Sequence, residues 1–193
     1  MNSTEVIDVF KRVGALLEGH FLYASGRHGR QFLQAARVLQ YPQHTEALCK
    51  AMAEAYRNAA VDLVVGPATG GIVLAYETAR HLGCRAAFTE RDGVERMALK
   101  RGFQLQRGER VLVVEDIVTT GGSVKKSIAH LRERGAEIVG VSVLIDRSAG
   151  EAAFDCPFAP LARLDMQSWA ADSCVLCARG KALQDPDDIV LAG

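Results

Sequence analysis

The feature that most limits what this chain can fold into is a repeated unit in its middle. Strand, turn and helix follow one another three times there. The strand-like parts are near-continuous apolar runs, as in "VDLVVGPATGG", "RVLVVEDIVTTGGS" and "AEIVGVSVLID", and each ends abruptly in small or polar residues. Strands without polar alternation have both faces covered. Their alternation with helices implies right-handed crossovers and an open, mainly parallel α/β sheet flanked by helices. Ligands of such sheets bind beyond the carboxyl ends of the strands. The informative residues are therefore 66–71, 89–92, 115–123 and 146–148.

The flanking segments read less regularly. Residues 2–18 predict a helix, with Asn2 and Glu5 at capping-box spacing. Two short strand-like pieces surround a glycine-rich basic turn at 25–30. A helix follows with Pro42 in its first turn, and Gly83 and Gly135 close two later helices. Residues 91–109 are polar, with glycines at 93, 102 and 108, and read as a long mobile loop or a loose hairpin. From 166 onward the chain reads as an irregular tail. A chain of 193 residues suits one domain over 1–193, with a small hood mainly in 1–40 and a core at about 41–165.

Composition excludes some functions. The chain holds 23 Lys and Arg against 23 Asp and Glu, so charge alone gives no basis for nucleic-acid binding. No apolar run reaches the roughly 20 residues of a membrane span, and the first residues lack the apolar region of a secretory signal. Five scattered cysteines, an odd number, fit a reduced, cytoplasmic protein.

The stretch "VLVVEDIVTTGGSV" carries the chemistry. A strand that ends in Glu115 and Asp116 presents two carboxylates at a crevice, suited to sugar hydroxyls directly or through Mg²⁺, which prefers oxygen ligands. Thr119, Thr120, Gly121, Gly122 and Ser123 then enter a helix. Glycines let the backbone come close, and the helix start offers free N–H groups and a dipole that favours an anion. Acids for a ribose beside a cradle for a phosphate describe a ribose 5-phosphate site. Neither GxxxxGK[ST] nor GxGxxG is present.

This stretch resembles the phosphoribosyl-pyrophosphate signature of the type I phosphoribosyltransferases. "ASGRHGRQFLQAARVLQYP", "VVGPATGGIVLAYETARHLG", "LIDRSAG" and "DSCVLC" extend the resemblance, in order, to the orotate phosphoribosyltransferases. The resemblance implies orotate and phosphoribosyl pyrophosphate as substrates, Mg²⁺, and a homodimer that shares loops. It implies that Glu115 and Asp116 hold the ribose hydroxyls, and that Thr119 to Ser123 hold the 5′-phosphate, with Thr119 also near orotate. Thr69 and Gly70 fall in the pyrophosphate loop. Arg147 matches the arginine that pairs with the orotate carboxylate, where a planar fork suits its partner. Phe32 would lie against the orotate ring.

Three lysine positions of the family are empty here. Ala24 precedes the hood Ser-Gly-Arg, Thr69 and Gly70 follow Gly-Pro-Ala, and the loop "ERDGVERMALKRGF" has no His-Gly. Arg91, Arg96, Lys100 and Arg101 supply cations instead. Arg91 lies nearest the family's loop arginine, and Lys100 and Arg101 are candidates to close over pyrophosphate, including in a partner subunit. Arg27, His28 and Arg30 are further basic candidates near the pocket mouth. Cys174 and Cys177 form a CxxC. Only Cys156 is close to it in sequence and no His follows His130, so a reduced turn is expected and no protein metal site is read. A purine phosphoribosyltransferase would use the same phosphate loop but has no carboxylate for Arg147. A non-catalytic regulator that binds phosphoribosyl pyrophosphate is the reading from another class.

Overall fold

The structure is a computed structural model that describes residues 1–23 and 25–186, so Ala24 lies outside the described residues. The core is a six-stranded sheet of order β5-β4-β3-β6-β7-β8. Its strands are β3 (Leu63–Pro67), β4 (Arg85–Asp92), β5 (Arg96–Leu99), β6 (Arg110–Val118), β7 (Glu137–Asp146) and β8 (Phe158–Arg163). All neighbours run parallel except β4 and β5, which form an antiparallel hairpin at one edge.

The central strand shows why the apolar runs do not alternate. Val111, Leu112, Val113 and Val114 of β6 are all fully buried, each such burial contributing about 2 kcal/mol. Leu112 and Val114 join one cluster with Phe10 of α1 (Ser3–Arg12), Leu48 and Met52 of α3 (Pro42–Glu54) and Leu74 of α4 (Gly70–Leu82). Val111 and Val113 join a second cluster with Ile128 and Leu131 of α5 (Gly122–Glu133). The sheet is thus covered on both faces, with its strand ends left open.

Asn2 and Glu5 form the expected capping box. The helix they start ends at Arg12, however, not near 18. Gly14 takes a positive φ, and Leu16 already begins β1 (Leu16–Leu22). Apolar Ala15, Leu16 and Leu17 continue the pattern of the helix in sequence, which is why its end is invisible there. Helix α1 packs on β8 and belongs to the core side. The hood is a small antiparallel sheet of order β1-β2-β9, with β2 at His28–Leu33 and β9 at Ser168–Trp169. A short helix α2 (Ala36–Leu39) leads back to the core.

The segment from 166, expected to be irregular, holds defined structure. It supplies β9, a 3₁₀ turn at Ala171–Ser173 and the short helix α6 (Val175–Ala178). His28 pairs with Trp169 and Gly29 with Ser168. Leu22 N–H donates to the Gln184 carbonyl at 3.0 Å, and Gln184 N–H donates to the His20 carbonyl at 2.8 Å. Two-residue and single-residue pairings carry too little periodicity to be read from sequence. No described helix is long and apolar enough to cross a membrane.

Candidate active site

The carboxyl end of β6 and the turn after it form the floor of a cavity of about 300 Å³. Glu115, Thr119, Thr120, Gly121, Gly122 and Ser123 line it, and Arg91, Arg96 and Lys126 bring three cations to it. Thr119, Thr120 and Ser123 are exposed, so their hydroxyls are open to a ligand. Gly121 adopts φ +74, and a side chain there would also press on the Phe154 ring at 2.9 Å. The first N–H groups of α5 have no intrahelical acceptor and open onto this cavity, where the helix dipole favours an anion.

The two acids lie within β6, which runs two residues past Asp116 to Val118 rather than ending at the acids. The Glu115 carboxylate accepts from Asp116 N–H at 3.1 Å, and the Asp116 carboxylate accepts from Ile117 N–H at 2.6 Å. Asp116 reaches across to the turn after β3. A Cβ on Gly70 would stand 2.3 Å from its Oδ2, so only glycine leaves room for this carboxylate. The Ala68–Thr69 peptide in that turn is cis, and Thr69 stands just before α4 without a side-chain capping bond. Gly66 and Gly71 also touch, backbone to backbone, leaving no space for a side chain on either. Burial pushes the Glu115 carboxyl well above its usual range, and the neighbouring Asp116 charge raises it further. Burial likewise raises Asp116. Two partly desolvated acids side by side are poised for a partner that donates hydrogen bonds or brings positive charge.

Of the segment 91–109 read as a loop or loose hairpin, the first part is a regular hairpin, with Arg91 opposite Met97 and Asp92 opposite Arg96, and residues 100–109 belong to no strand. Its cations divide. Arg91 lines the cavity with no ion pair among the described residues, while Arg96 lines it and also reaches Glu133 at 2.9 Å. Lys100 instead bonds the Arg91 carbonyl at 2.9 Å and Asp92 at 3.2 Å, and Arg101 forks onto Glu90 at 2.8 Å. Lys100 and Arg101 line a separate groove with Phe103 and Arg134, so within one chain they are not brought to the Thr119–Ser123 turn. Lys126, not foreseen, reaches the cavity because it lies one helical turn after Ser123; its ammonium meets Glu95 at 3.1 Å.

Arg147 stands at the carboxyl end of β7, its guanidinium 4.7 Å from the centre of the Tyr23 ring. Its neighbour Asp146 is already engaged. The Asp146 carboxylate accepts from Ser148 O–H at 2.6 Å and Ser148 N–H at 2.9 Å, and pairs with Arg163 at 3.3 Å. Arg147 is therefore left without a carboxylate partner among the described residues. Tyr23 donates to the Gln31 carbonyl at 2.5 Å, and burial raises its phenol while Arg147 opposes that rise. Phe32, half-buried on β2, packs at 6.0 Å against the buried Phe21. Arg27 is spent on Ser168, donating to its Oγ and its carbonyl, both at 2.9 Å. Arg30 is exposed, and His28 is buried inside the hood facing His20 rather than the pocket.

A model of the phosphoribosyl transferase domain matches residues 34–158. The chain is 47% identical over 180 residues to the orotate phosphoribosyltransferase of Desulforamulus reducens, covering 93% of this chain and 94% of the relative. The chain belongs to the orotate phosphoribosyltransferase family. Another member, from Caldanaerobacter subterraneus, is 44% identical over 187 residues, 96% of this chain and 97% of its own. The crystal structure of orotate phosphoribosyltransferase from Aeropyrum pernix superimposes with a TM-score of 0.69 at 29% identity, over 82% of this chain and 93% of that one. The domain match spans the floor of the cavity, both acids and Arg147, whereas the hood hairpin and the tail lie outside it.

Proposed function

We propose that the chain transfers the 5-phosphoribosyl group from phosphoribosyl pyrophosphate to orotate, giving orotidine 5′-phosphate and pyrophosphate in pyrimidine synthesis. A ring nitrogen of orotate forms the new bond to the anomeric carbon, and the bond from that carbon to the pyrophosphate oxygen breaks, its electron pair leaving with pyrophosphate. The observation that carries the choice of base is Arg147, a guanidinium with no carboxylate partner among the described residues. Orotate brings a carboxylate and a purine does not.

Each role then follows from position. The hydroxyls of Thr119, Thr120 and Ser123 and the start of α5 receive the 5′-phosphate. Glu115 and Asp116 accept from the ribose hydroxyls. Thr69 and Gly70, the latter packed against Asp116, border the pyrophosphate. Arg91, with Arg96 and Lys126 beside it, provides charge for the leaving group where the family's lysines are absent. The protein contributes placement and charge, not a covalent intermediate.

Two adjacent carboxylates, short of partners and rich in hard oxygen donors, fit Mg²⁺. Glu115 and Asp116 would hold it together with substrate oxygens, and when bound it neutralises charge on the pyrophosphate. Lys100 and Arg101 serve a partner subunit's site in a homodimer. An apolar groove between α3 and α4 supports that assembly: it has a volume of about 490 Å³, and its lining residue Tyr76 is 68% exposed. The setting of this reading is the cytoplasm.

The test is direct. The protein is mixed with phosphoribosyl pyrophosphate, Mg²⁺ and orotate, and the loss of orotate absorbance is followed, with adenine, hypoxanthine, guanine and uracil in parallel. Turnover of orotate alone is expected. Turnover of a purine, or of no base, overturns the reading. The Arg147→Ala variant is expected to raise the orotate KM at least tenfold, the worth of a charged hydrogen-bonded pair, while leaving the KM for phosphoribosyl pyrophosphate within about twofold. Equal damage to both removes Arg147 from the orotate pocket.

A further inference from the structure

The hood holds a cluster that the transfer reaction does not use. His20 of β1, His28 of β2, Cys174 just before α6 and Cys177 within it turn one ligand atom each toward a common point, all four within 4.8 Å of one another. We propose that these residues bind one structural zinc ion, which fastens the tail to the hood.

The distances support a single tetrahedral ion. Zinc bonds of about 2.3 Å to sulfur and 2.05 Å to nitrogen, at tetrahedral angles, separate two nitrogens by about 3.3 Å and a nitrogen from a sulfur by about 3.6 Å. His20 Nε2 lies 3.3 Å from His28 Nδ1, 3.4 Å from Cys174 Sγ and 3.8 Å from Cys177 Sγ, and His28 Nδ1 lies 3.3 Å from Cys177 Sγ. Two cysteines and two histidines in tetrahedral array select zinc among common ions. Convergence on one point leaves no room for an iron–sulfur cluster.

Hydrogen bonding alone accounts for the cluster poorly. His20 Nδ1 lies 2.8 Å from the Lys181 carbonyl, which can only accept, so Nδ1 carries the proton. In the neutral ring, Nε2 is then a single lone pair that faces His28 Nδ1 and two sulfurs at once. A cation uses all of these donors together. The Nδ1–H bond to a backbone carbonyl is also the usual outer partner of a metal-bound histidine, fixing its tautomer and ring plane. Both cysteines are unpaired, and two thiolates neutralise the ion within a site where His20, His28 and Cys174 are buried.

The hood needs such a fastening. A three-stranded sheet with a two-residue edge strand buries little apolar surface, and small units of this kind depend on metals or crosslinks. The two histidines flank the hairpin turn that carries Tyr23, whose ring lies against Arg147. The zinc would thus steady the roof of the pocket from behind, without touching a substrate.

The test is independent of the transfer reaction. The full chain, purified without added metal or chelator, is expected to carry about one zinc per chain by elemental analysis, falling below about 0.2 in Cys177→Ser and in His28→Asn. Cobalt(II) added to chelated, reduced wild-type protein should give the visible bands and sulfur charge-transfer absorption of a tetrahedral thiolate site. Excess Mg²⁺ should not displace it. The single tryptophan, Trp169, pairs with His28, so chelation should shift its emission and zinc should restore it. Zinc-free protein that yields no tetrahedral cobalt spectrum overturns the proposal, and so does full zinc content in both variants. Because cobalt is read on the wild-type chain, a variant that fails to fold does not obscure the answer.

Discussion

The substitution Gly70→Ala tests whether the site depends on the close seating of Asp116 against the turn after β3. The added methyl would lie 2.3 Å from Asp116 Oδ2 and 3.0 Å from its Cγ. Ordinary contact is no closer than about 3.4 Å, so the carboxylate must retreat by roughly 1 Å. Its retreat is opposed by the 2.6 Å bond from Ile117 N–H. Displacements of this size at a reacting centre cost on the order of 100-fold in rate, equivalent to about 2.7 kcal/mol of transition-state stabilisation. Alanine is also the best helix former, and Gly70 opens α4, so the fold loses little. The assay is kcat/KM for phosphoribosyl pyrophosphate at saturating orotate, with a thermal melt in parallel. The expected result is a fall of about 100-fold with Tm shifted by less than about 4 °C. Wild-type turnover in Gly70→Ala would refute the reasoning, because it would show that Asp116 moves freely and its position is not part of catalysis.

Other expectations follow from the same structure. Burial and the Asp116 charge raise the Glu115 pKa, so this group's contribution to stability is present below its unfolded pKa and lost as pH rises through the folded value. Glu115→Gln should therefore raise Tm of the ligand-free protein more at pH 8 than at pH 5, while weakening phosphoribosyl pyrophosphate binding; a Tm gain independent of pH contradicts the charge argument. Tyr56, pushed up to about 12 by burial, donates to the Val141 carbonyl at 2.9 Å and approaches the Pro157 carbonyl at 3.3 Å. Tyr56→Phe should cost about 1 kcal/mol, read as a Tm lower by about 3 °C, with kinetic constants unchanged. Arg91→Ala should raise KM for phosphoribosyl pyrophosphate and weaken pyrophosphate inhibition, with orotate KM unaffected, because Arg91 lines the cavity at the Thr119–Ser123 turn without an ion pair among the described residues.

The parallel core was legible because its signal is local. An apolar run covered on both faces, as at Val111 to Val114, can be recognised without knowing its neighbours. The same holds for the acids and the Thr119–Ser123 turn, since a strand end and the start of the next helix bring them together. Lys126 follows from the helical repeat once α5 is placed. The end of α1 failed because Ala15, Leu16 and Leu17 extend an apolar pattern past Gly14, where the backbone turns into β1.

The hood was illegible for a different reason: its contacts join segments about 150 residues apart. Cys174 and Cys177, with no histidine following them, look like an isolated pair. Their partners are His20 and His28, on a hairpin formed near the start of the chain. No spacing rule links the two segments. Long sequence separation likewise hid Tyr23, an aromatic whose ring meets the Arg147 guanidinium only in the folded chain. On the proposed reading, the core therefore carries its phosphate and ribose contacts in short contiguous motifs. The Tyr23–Arg147 pair and the hood around it depend instead on long-range contacts, and a metal that ties together positions 20, 28, 174 and 177 would supply the stability which so small a sheet cannot supply alone.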